Sequence, residues 1–515
     1  VNRQLKRLGA GLMGCYLALF AMVNYIQVFN AESLEANPRN FRTIQRNFDR
    51  PRGQIVSADG VVLARTEPSQ PGDPFETQRV YPEGSLFGQI TGYINLNEAT
   101  GIERSYNDEL VAKTSEQQYQ DLGDLLVSDD NRTGEVQLTI RKDLQETARA
   151  ALAGANRNSD PDGAVVAIDP RNGEILALWG NPTFDPNALA SHKANEIKQN
   201  KELLSADPNR KPLLSNAYQE RYFPGSTFKV VTAATGLSDG VVNGAAPVYP
   251  PARNFDITLT SNDLDNFGGS VCGGALEEIL RVSCNSAFAD MGVNTIGQDR
   301  MVQGTERFGF NARIPLDLPG TAVSQFPTDF PKDQGNGPLA RASIGQGDNQ
   351  ATPLQMALVA AASAGDGTIM APHVMKKITD NDGVTVKTFE PKVWKTAMSP
   401  QAAADIKGPM IAVVQRGSGK AAIIPNVVVG GKSGTAQLGL NPPSSHAWFV
   451  AWAAPAGGGP ATVAVAVFIR AQPGNANDAT GGGLAAPVAK QVIQKVLEVQ
   501  ANPAPSALSA PAPAP

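Results

Sequence analysis

The sequence predicts an α+β fold: an antiparallel sheet flanked by helices, carried behind an N-terminal spacer domain and one transmembrane helix. Three observations lead there. Strand-like apolar runs sit at both ends of residues 160–500. A helix-like stretch punctuated by glycine separates them. A long apolar run with a basic flank opens the chain. Composition agrees with a folded protein: of 515 residues, 42% are hydrophobic and 18% charged, which argues against global disorder. A net charge of −5 argues against a nucleic-acid partner, which selects a basic surface. Three cysteines and three histidines, with no C-x-x-C, are too few for a Cys/His zinc module.

Arg3, Lys6 and Arg7 precede the apolar run from Leu8 to Val28. As a helix that run rises about 31 Å, enough to cross the hydrocarbon core of a bilayer. The basic flank places residues 1–7 in the cytoplasm and the rest of the chain beyond about residue 30 outside, as a single-pass protein of the plasma membrane. A cleaved signal peptide is the competing reading. Its apolar core runs only about 7–15 residues and ends at an A-x-A-like site. This run is longer and no such site follows it, so an uncleaved anchor is expected.

Residues 31–155 are expected to form a non-catalytic pedestal. Residues 48–66 read as strand–turn–strand with Asp59-Gly60 at the turn. Residues 101–111 and 141–152 read as helices, the second with Leu144, Ala148, Ala151 and Leu152 on one face. From Gly163 the pattern changes. GAVVAIDP (163–170) and EILALWG (174–180) form a hairpin around Arg171-Asn172-Gly173. Three more strand-like runs follow late in the chain, at 427–437, 447–454 and 461–470. Val488, Val492 and Val496 mark a last helix over 484–499. The simplest architecture is one sheet assembled from both ends. Residues 501–515 are a Pro/Ala tail, expected to be extended and disordered.

Three short motifs carry the chemistry. In YFPGSTFK (222–229), Ser226 follows Pro-Gly at the start of a helical pattern, with Lys229 one turn later on the same face. A serine hydroxyl is a weak nucleophile until a base takes its proton. A lysine serves if its amine is neutral, which a dry site and a second cation favour. Alone, Ser-x-x-Lys occurs by chance in a chain of this length, and a capping serine with a surface lysine explains it as well. Ser283 and Asn285, around Cys284, would point one way in extended backbone. Ser283 would relay a proton to a leaving group and Asn285 would hold Lys229; by itself the tripeptide reads as an ordinary polar turn. Lys432, Ser433, Gly434 and Thr435 lie on an expected strand along which an extended substrate would pair. Lys432 with the Ser433 and Thr435 hydroxyls would meet a carboxylate. The backbone N–H groups of Ser226 and Thr435 would form an oxyanion hole.

Taken in this order, the motifs resemble the Ser-x-x-Lys, Ser-x-Asn and Lys-Thr-Gly set of penicillin-binding proteins and class A β-lactamases. The whole chain resembles class B penicillin-binding proteins. RPRGQIVSADGVVLA (50–64), GIERSYNDEL, GAVVAIDPRNGEILAL, NPTFDPN (181–187), SIGQG (343–347) and HAWFVAWAAP (446–455) follow in family order. ATGGGLAAPVAKQVI (479–493) is similar to the actinobacterial subgroup. Two departures are mild: Ser433 replaces the commoner threonine, and Cys284 fills a variable position.

The resemblance implies a serine β-lactamase/transpeptidase-like domain over 160–500. It implies a D,D-transpeptidase that cross-links peptidoglycan stem peptides through a Ser226 acyl-enzyme and is inhibited by β-lactam antibiotics. No metal and no cofactor are implied. Because the spacer lacks glycosyltransferase motifs, the resemblance implies a membrane glycosyltransferase of the RodA/FtsW type as partner. The alternatives are a D,D-carboxypeptidase, a serine β-lactamase or a non-enzymatic β-lactam sensor. A class A β-lactamase activates its deacylating water with a glutamate, and no E-x-x-L-N stretch lies between the second and third motifs. A sensor needs a cytoplasmic output domain.

Cys272 and Cys284 both lie on the oxidising side, around Ser283 and Asn285, so a disulfide that stiffens this loop is expected over two free buried cysteines. Cys15, in the membrane run, reads as packing. His446 reads as structural, and His192 and His373 show no partner cluster in the sequence. Trp179, Trp448 and Trp452 read as core.

Overall fold

The structure, a computed structural model, describes residues 2–26, 52–73, 75–111, 134–155, 161–259, 263–439, 444–455, 457, 459–471 and 480–502. The linker after the apolar run, the final two residues of that run and the Pro/Ala tail from residue 503 lie outside the described residues. Helix α1 (Asn2–Asn24) contains a stretch, Lys6–Asn24, long and apolar enough to cross a membrane, and none of it is buried. A core helix of this composition would be covered on most sides.

The strands are β1 (Ile55–Val56), β2 (Val62–Pro68), β3 (Thr77–Val80) and β4 (Glu135–Leu138) in the spacer. Beyond it come β5 (Gly163–Ile168), β6 (Ile175–Asn181), β7 (Met375–Thr379), β8 (Thr385–Thr388), β9 (Val427–Gln437), β10 (Ser445–Pro455) and β11 (Val463–Ile469). The main sheet has the order β9-β10-β11-β5-β6 and is antiparallel throughout. The two ends of the domain meet where Ala466 of β11 faces Val166 of β5. Every residue of β11, and all of β10 but Pro455, is buried. The runs therefore read as continuous apolar sequence rather than alternating, because helices cover both faces. Helix α4 (Pro353–Ala364), wholly buried, packs on β5, β10 and β11. Helices α2 (Lys142–Ala153) and α6 (Ala486–Ala501) pack on each other and on β5, β6, β10 and β11.

Packing crosses the expected boundary at residue 155. Leu144, Ala148, Ala151 and Leu152 form one buried face of α2, a helix that packs mainly on the main sheet and α6 and also touches the spacer at Gly84–Leu86. The second sheet, β8-β7-β4-β1-β2-β3, also crosses the boundary: β4 of the spacer pairs with β7 of the later part. The Asp317 carboxylate fastens the joint, accepting from Tyr106 Oη at 2.7 Å, Val374 N at 2.7 Å and Met375 N at 2.8 Å.

Within the spacer, the expected helix over 101–111 is two short ones, Gly101–Ser105 and Asn107–Leu110, broken at Tyr106. The break turns the Tyr106 side chain toward Asp317 and leaves Glu103 facing inward. Glu103 has no exposed surface and accepts from Arg52 Nη2 at 2.8 Å, Arg79 Nε at 2.6 Å and Tyr81 Oη at 3.2 Å.

Candidate active site

The turn that carries Ser226 is held by backbone close approach. Gly225 adopts φ +54° and donates its N–H to Gly345 O at 2.9 Å. A Cβ on Gly345 would stand 2.1 Å from Gly225 O, so the approach needs glycine there. Residues Gly225–Phe228 form a 3₁₀ turn that runs into helix α3 (Lys229–Ser238). Ser226 thus enters a helix, as its sequence context suggests, and Lys229 follows one turn on. Among the described residues the Ser226 hydroxyl makes no hydrogen bond; Lys229 is engaged elsewhere. Hydroxyl–base contacts are often long before substrate arrives.

Lys229 and Lys432 are both fully buried. Lys229 Nζ donates to Asn285 Oδ1 at 2.6 Å, Ser283 O at 2.8 Å and Ser283 Oγ at 3.3 Å. Lys432 Nζ donates to Ser283 Oγ at 2.8 Å and Ser433 O at 2.8 Å. One hydroxyl therefore stands between two amines. Neither amine is paired with a carboxylate among the described residues. Burial, reinforced by the charge of Lys432, pushes the Lys229 amine well below its usual range. Burial lowers Lys432 to about 7.

The Ser-x-Asn segment departs from the extended loop expected. Ser283 follows helix Leu276–Arg281 in the left-handed region, at φ +62°, and Asn285 opens the next helix, Asn285–Asp290. A serine there costs about 1–2 kcal/mol, and its surroundings hold it. Cys284 N donates to Ile279 O at 2.9 Å. Asn285 Nδ2 donates to Asp265 O at 2.9 Å, which fixes the amide so that its oxygen meets Lys229. Cys284 is disulfide-bonded to Cys272, with Cα atoms 5.8 Å apart. Cys272 lies on strand Cys272–Gly274, which pairs with strand Tyr249–Ala252, so the bond ties the segment to a hairpin.

Lys432, Ser433, Gly434 and Thr435 lie on β9, the edge strand of the main sheet. Gly434 brings this strand against the Ser226 turn: a Cβ there would lie 3.0 Å from Pro224 O and 3.1 Å from Thr227 N. From the other side Gly481 approaches so closely that its Cβ would fall 2.4 Å from Gly434 O. The Ser433 hydroxyl meets that of Ser418 at 2.5 Å. Ser226, Ser283, Asn285, Ser433 and Thr435 line one cleft of about 710 Å³, with Arg253, Asp265 and Phe267 on its wall. The sequence reading missed Ser418, Asn266 and this wall. Ser418 carried a signal, a serine between two glycines before a strand. Asn266, which accepts from Ser286 N at 2.9 Å, carried none.

The remaining singled-out residues are structural. Ala471 N donates to His446 Nδ1 at 3.0 Å, and burial lowers this imidazole to about 4, so it is neutral. His373 stacks on Phe389. His192, for which the sequence shows no partner cluster, has a partner in the fold: its Nδ1 lies 2.6 Å from Asp73 Oδ1. Trp179, Trp448 and Trp452 are buried. Among the described residues no group of three or more His, Cys, Asp or Glu is placed to hold a metal.

A serine at a helix start, a buried low-pKa amine beside it and an open strand edge suit covalent acyl transfer. Comparison with known proteins agrees. The family described as penicillin binding protein transpeptidase domain matches residues 163–494, and the penicillin binding protein A dimerisation domain matches residues 52–136. The chain is 36% identical to the peptidoglycan D,D-transpeptidase PbpA of Mycolicibacterium smegmatis, over 96% of this chain and 99% of that protein. It is 33% identical to the PbpA of Mycobacterium tuberculosis, over 97% and 99%. The solved penicillin G acyl-enzyme of penicillin-binding protein A from M. tuberculosis superposes with a TM-score of 0.75 at 32% identity, covering 87% of this chain and 100% of that one.

Proposed function

The chain belongs to the penicillin-binding protein transpeptidase family, and within it we propose that Ser226 is the nucleophile, Lys229 its base and Ser283 the proton relay. The protein is a peptidoglycan D,D-transpeptidase. One observation carries the assignment of roles: the Ser283 hydroxyl bonded to both buried amines, Lys229 and Lys432. A lysine kept neutral by burial accepts a proton at neutral pH, where an exposed one is already protonated.

The donor strand lies along β9, its terminal carboxylate against Lys432, Ser433 and Thr435. Ser226 Oγ attacks the carbonyl carbon of the penultimate D-alanine while Lys229 takes the hydroxyl proton. The oxyanion accepts from the N–H groups of Ser226 and Thr435, a contribution on the order of 3 kcal/mol per donor. The carbon–nitrogen bond breaks, and the proton reaches the departing D-alanine amine through Ser283. An amine of a neighbouring stem then attacks the ester and gives its proton to Lys229, which passes it to Ser226 Oγ as the ester carbon–oxygen bond breaks, restoring the hydroxyl and the neutral amine. A β-lactam acylates the same hydroxyl by opening its ring, and its leaving nitrogen stays tethered.

The anchor reading extends to the whole protein: residues 1–7 cytoplasmic, the catalytic part outside, glycan strands supplied by a RodA/FtsW-type polymerase. The charge flank of α1 supports the orientation. Protease added to spheroplasts checks it, since the proposal requires the catalytic part to be cut. Capture of the full-length protein from detergent checks the partner, since it requires a multi-spanning polymerase to follow.

Intact mass after incubation of full-length protein with benzylpenicillin tests the central assignment. The expected result is one adduct per chain, mapping to Ser226, lasting hours and absent from Ser226→Ala. An adduct that forms and clears within minutes makes hydrolysis the activity. No adduct on a folded sample overturns the assignment.

A further inference from the structure

The far wall of the cleft carries two charges that the acyl-transfer chemistry does not use. Arg253 and Asp265 are the charged side chains among the lining residues, and both are exposed. Neither side chain makes a hydrogen bond or ion pair with any other described residue. They are close in the fold: Arg253 precedes Asn254, whose strand partner is Asp265. Asp265 spends only its backbone carbonyl, on Asn285. The position of Arg253 is built. Gly268 and Gly269 adopt φ +62° and +67°, and a Cβ on Gly269 would stand 2.9 Å from Arg253 Nη2 and 3.5 Å from both Cζ and Nε. The guanidinium therefore lies close over Gly269, where a side chain would crowd it. The same cleft is lined by Phe267, which is 56% exposed.

A cation, an anion and an apolar surface lining one cleft complement one chemical group: an aliphatic stem that ends in an amine and a carboxylate. A guanidinium fork matches a carboxylate, and a carboxylate receives an ammonium. We propose that Arg253, Asp265 and Phe267 form a specificity subsite for the zwitterionic end of a diamino acid in the donor stem peptide, just upstream of its D-alanines. Arg253 takes the carboxylate, Asp265 the amine, and Phe267 the methylene stem. The inference rests on the transpeptidase reading above and adds which stem chemistry the cleft prefers. Because both charges face solvent, the preference is a modest one, about fivefold, the scale of a screened charge pair.

The test compares two soluble D-alanyl-D-alanine donors on the full-length protein, read as the rate constant for D-alanine release with an amine acceptor present. One donor carries a diamino acid with a free terminal amine and carboxylate; in the other that carboxylate is amidated. The wild type is expected to prefer the first about fivefold. In Arg253→Gln the preference is expected to fall to near unity, and Asp265→Asn is expected to slow the free-ended donor and spare one whose terminal amine is acetylated. Equal rates for both donors on the wild type, or a preference that survives Arg253→Gln, overturns the subsite. Benzylpenicillin acylation of the same wild-type sample separates the two ideas: if it proceeds while the donors are not distinguished, the Ser226 chemistry stands and the subsite does not.

Discussion

Two buried clusters of charge occupy the two halves of this protein, and they are built on opposite rules. In the spacer, Glu103 lies between Arg52 and Arg79, all three buried, with hydrogen bonds on both carboxylate oxygens. In the catalytic part, Lys229 and Lys432 share the Ser283 hydroxyl with no carboxylate between them. Burial by itself raises the Glu103 carboxyl, but Arg79 and Arg52 outweigh it and hold the group below its ordinary value. Burial lowers both lysines, and no carboxylate among the described residues opposes it. The first cluster keeps its charges and orders a fold. The second sheds charge and leaves an amine free to accept a proton. Opposite charges make a staple, and like charges make a base.

Lys229→Ala breaks the comparison most strongly. It is expected to slow benzylpenicillin acylation of Ser226 by about 10²–10⁴-fold, the scale of a lost general base, with the thermal midpoint unchanged or raised. Near-normal acylation in that variant refutes the base assignment. Glu103→Gln is expected to do the reverse. It leaves two guanidinium groups buried without a counter-charge, at a cost of about 3–5 kcal/mol. Thermal or denaturant unfolding should show that loss, while the acylation rate constant per folded molecule stays within about twofold. The sign with pH follows from the lowered carboxyl. The ion-pair contribution of Glu103 is complete above the unfolded value of 4.5 and disappears as pH falls through the lower folded value. Glu103→Gln should flatten that part of the acid-unfolding profile. Slow acylation at unchanged stability contradicts the division of roles.

Much of the catalytic half was legible. The five strands of the main sheet are apolar runs bounded by turn residues, and local sequence determines them. The three motifs named Ser226 and seven residues that the fold brings near it, because the chemistry demands residue types at fixed spacing. What was not legible depends on distant contacts. Nothing near Glu103 says that Arg52 and Arg79 will flank it. The face of α2 is plain in the sequence, but the sheet that covers it is not. The left-handed turn at Ser283 is set by helix Leu276–Arg281 and the Cys272–Cys284 bond, which replace the extended loop that local reading suggests. Arg253 and Asp265 are ordinary polar residues until the hairpin folds them onto the cleft wall.

The contrast between the clusters is most directly tested by following lysine side-chain carbons by NMR across a pH titration of ¹³Cε-lysine-labelled protein. Lys229→Met and Lys432→Met supply the assignments. The account predicts two lysines titrating apart from the rest, Lys432 near 7 and Lys229 far below the ordinary lysine value of 10.5. If every lysine titrates near that ordinary value, Lys229 is charged at neutral pH and cannot be the base.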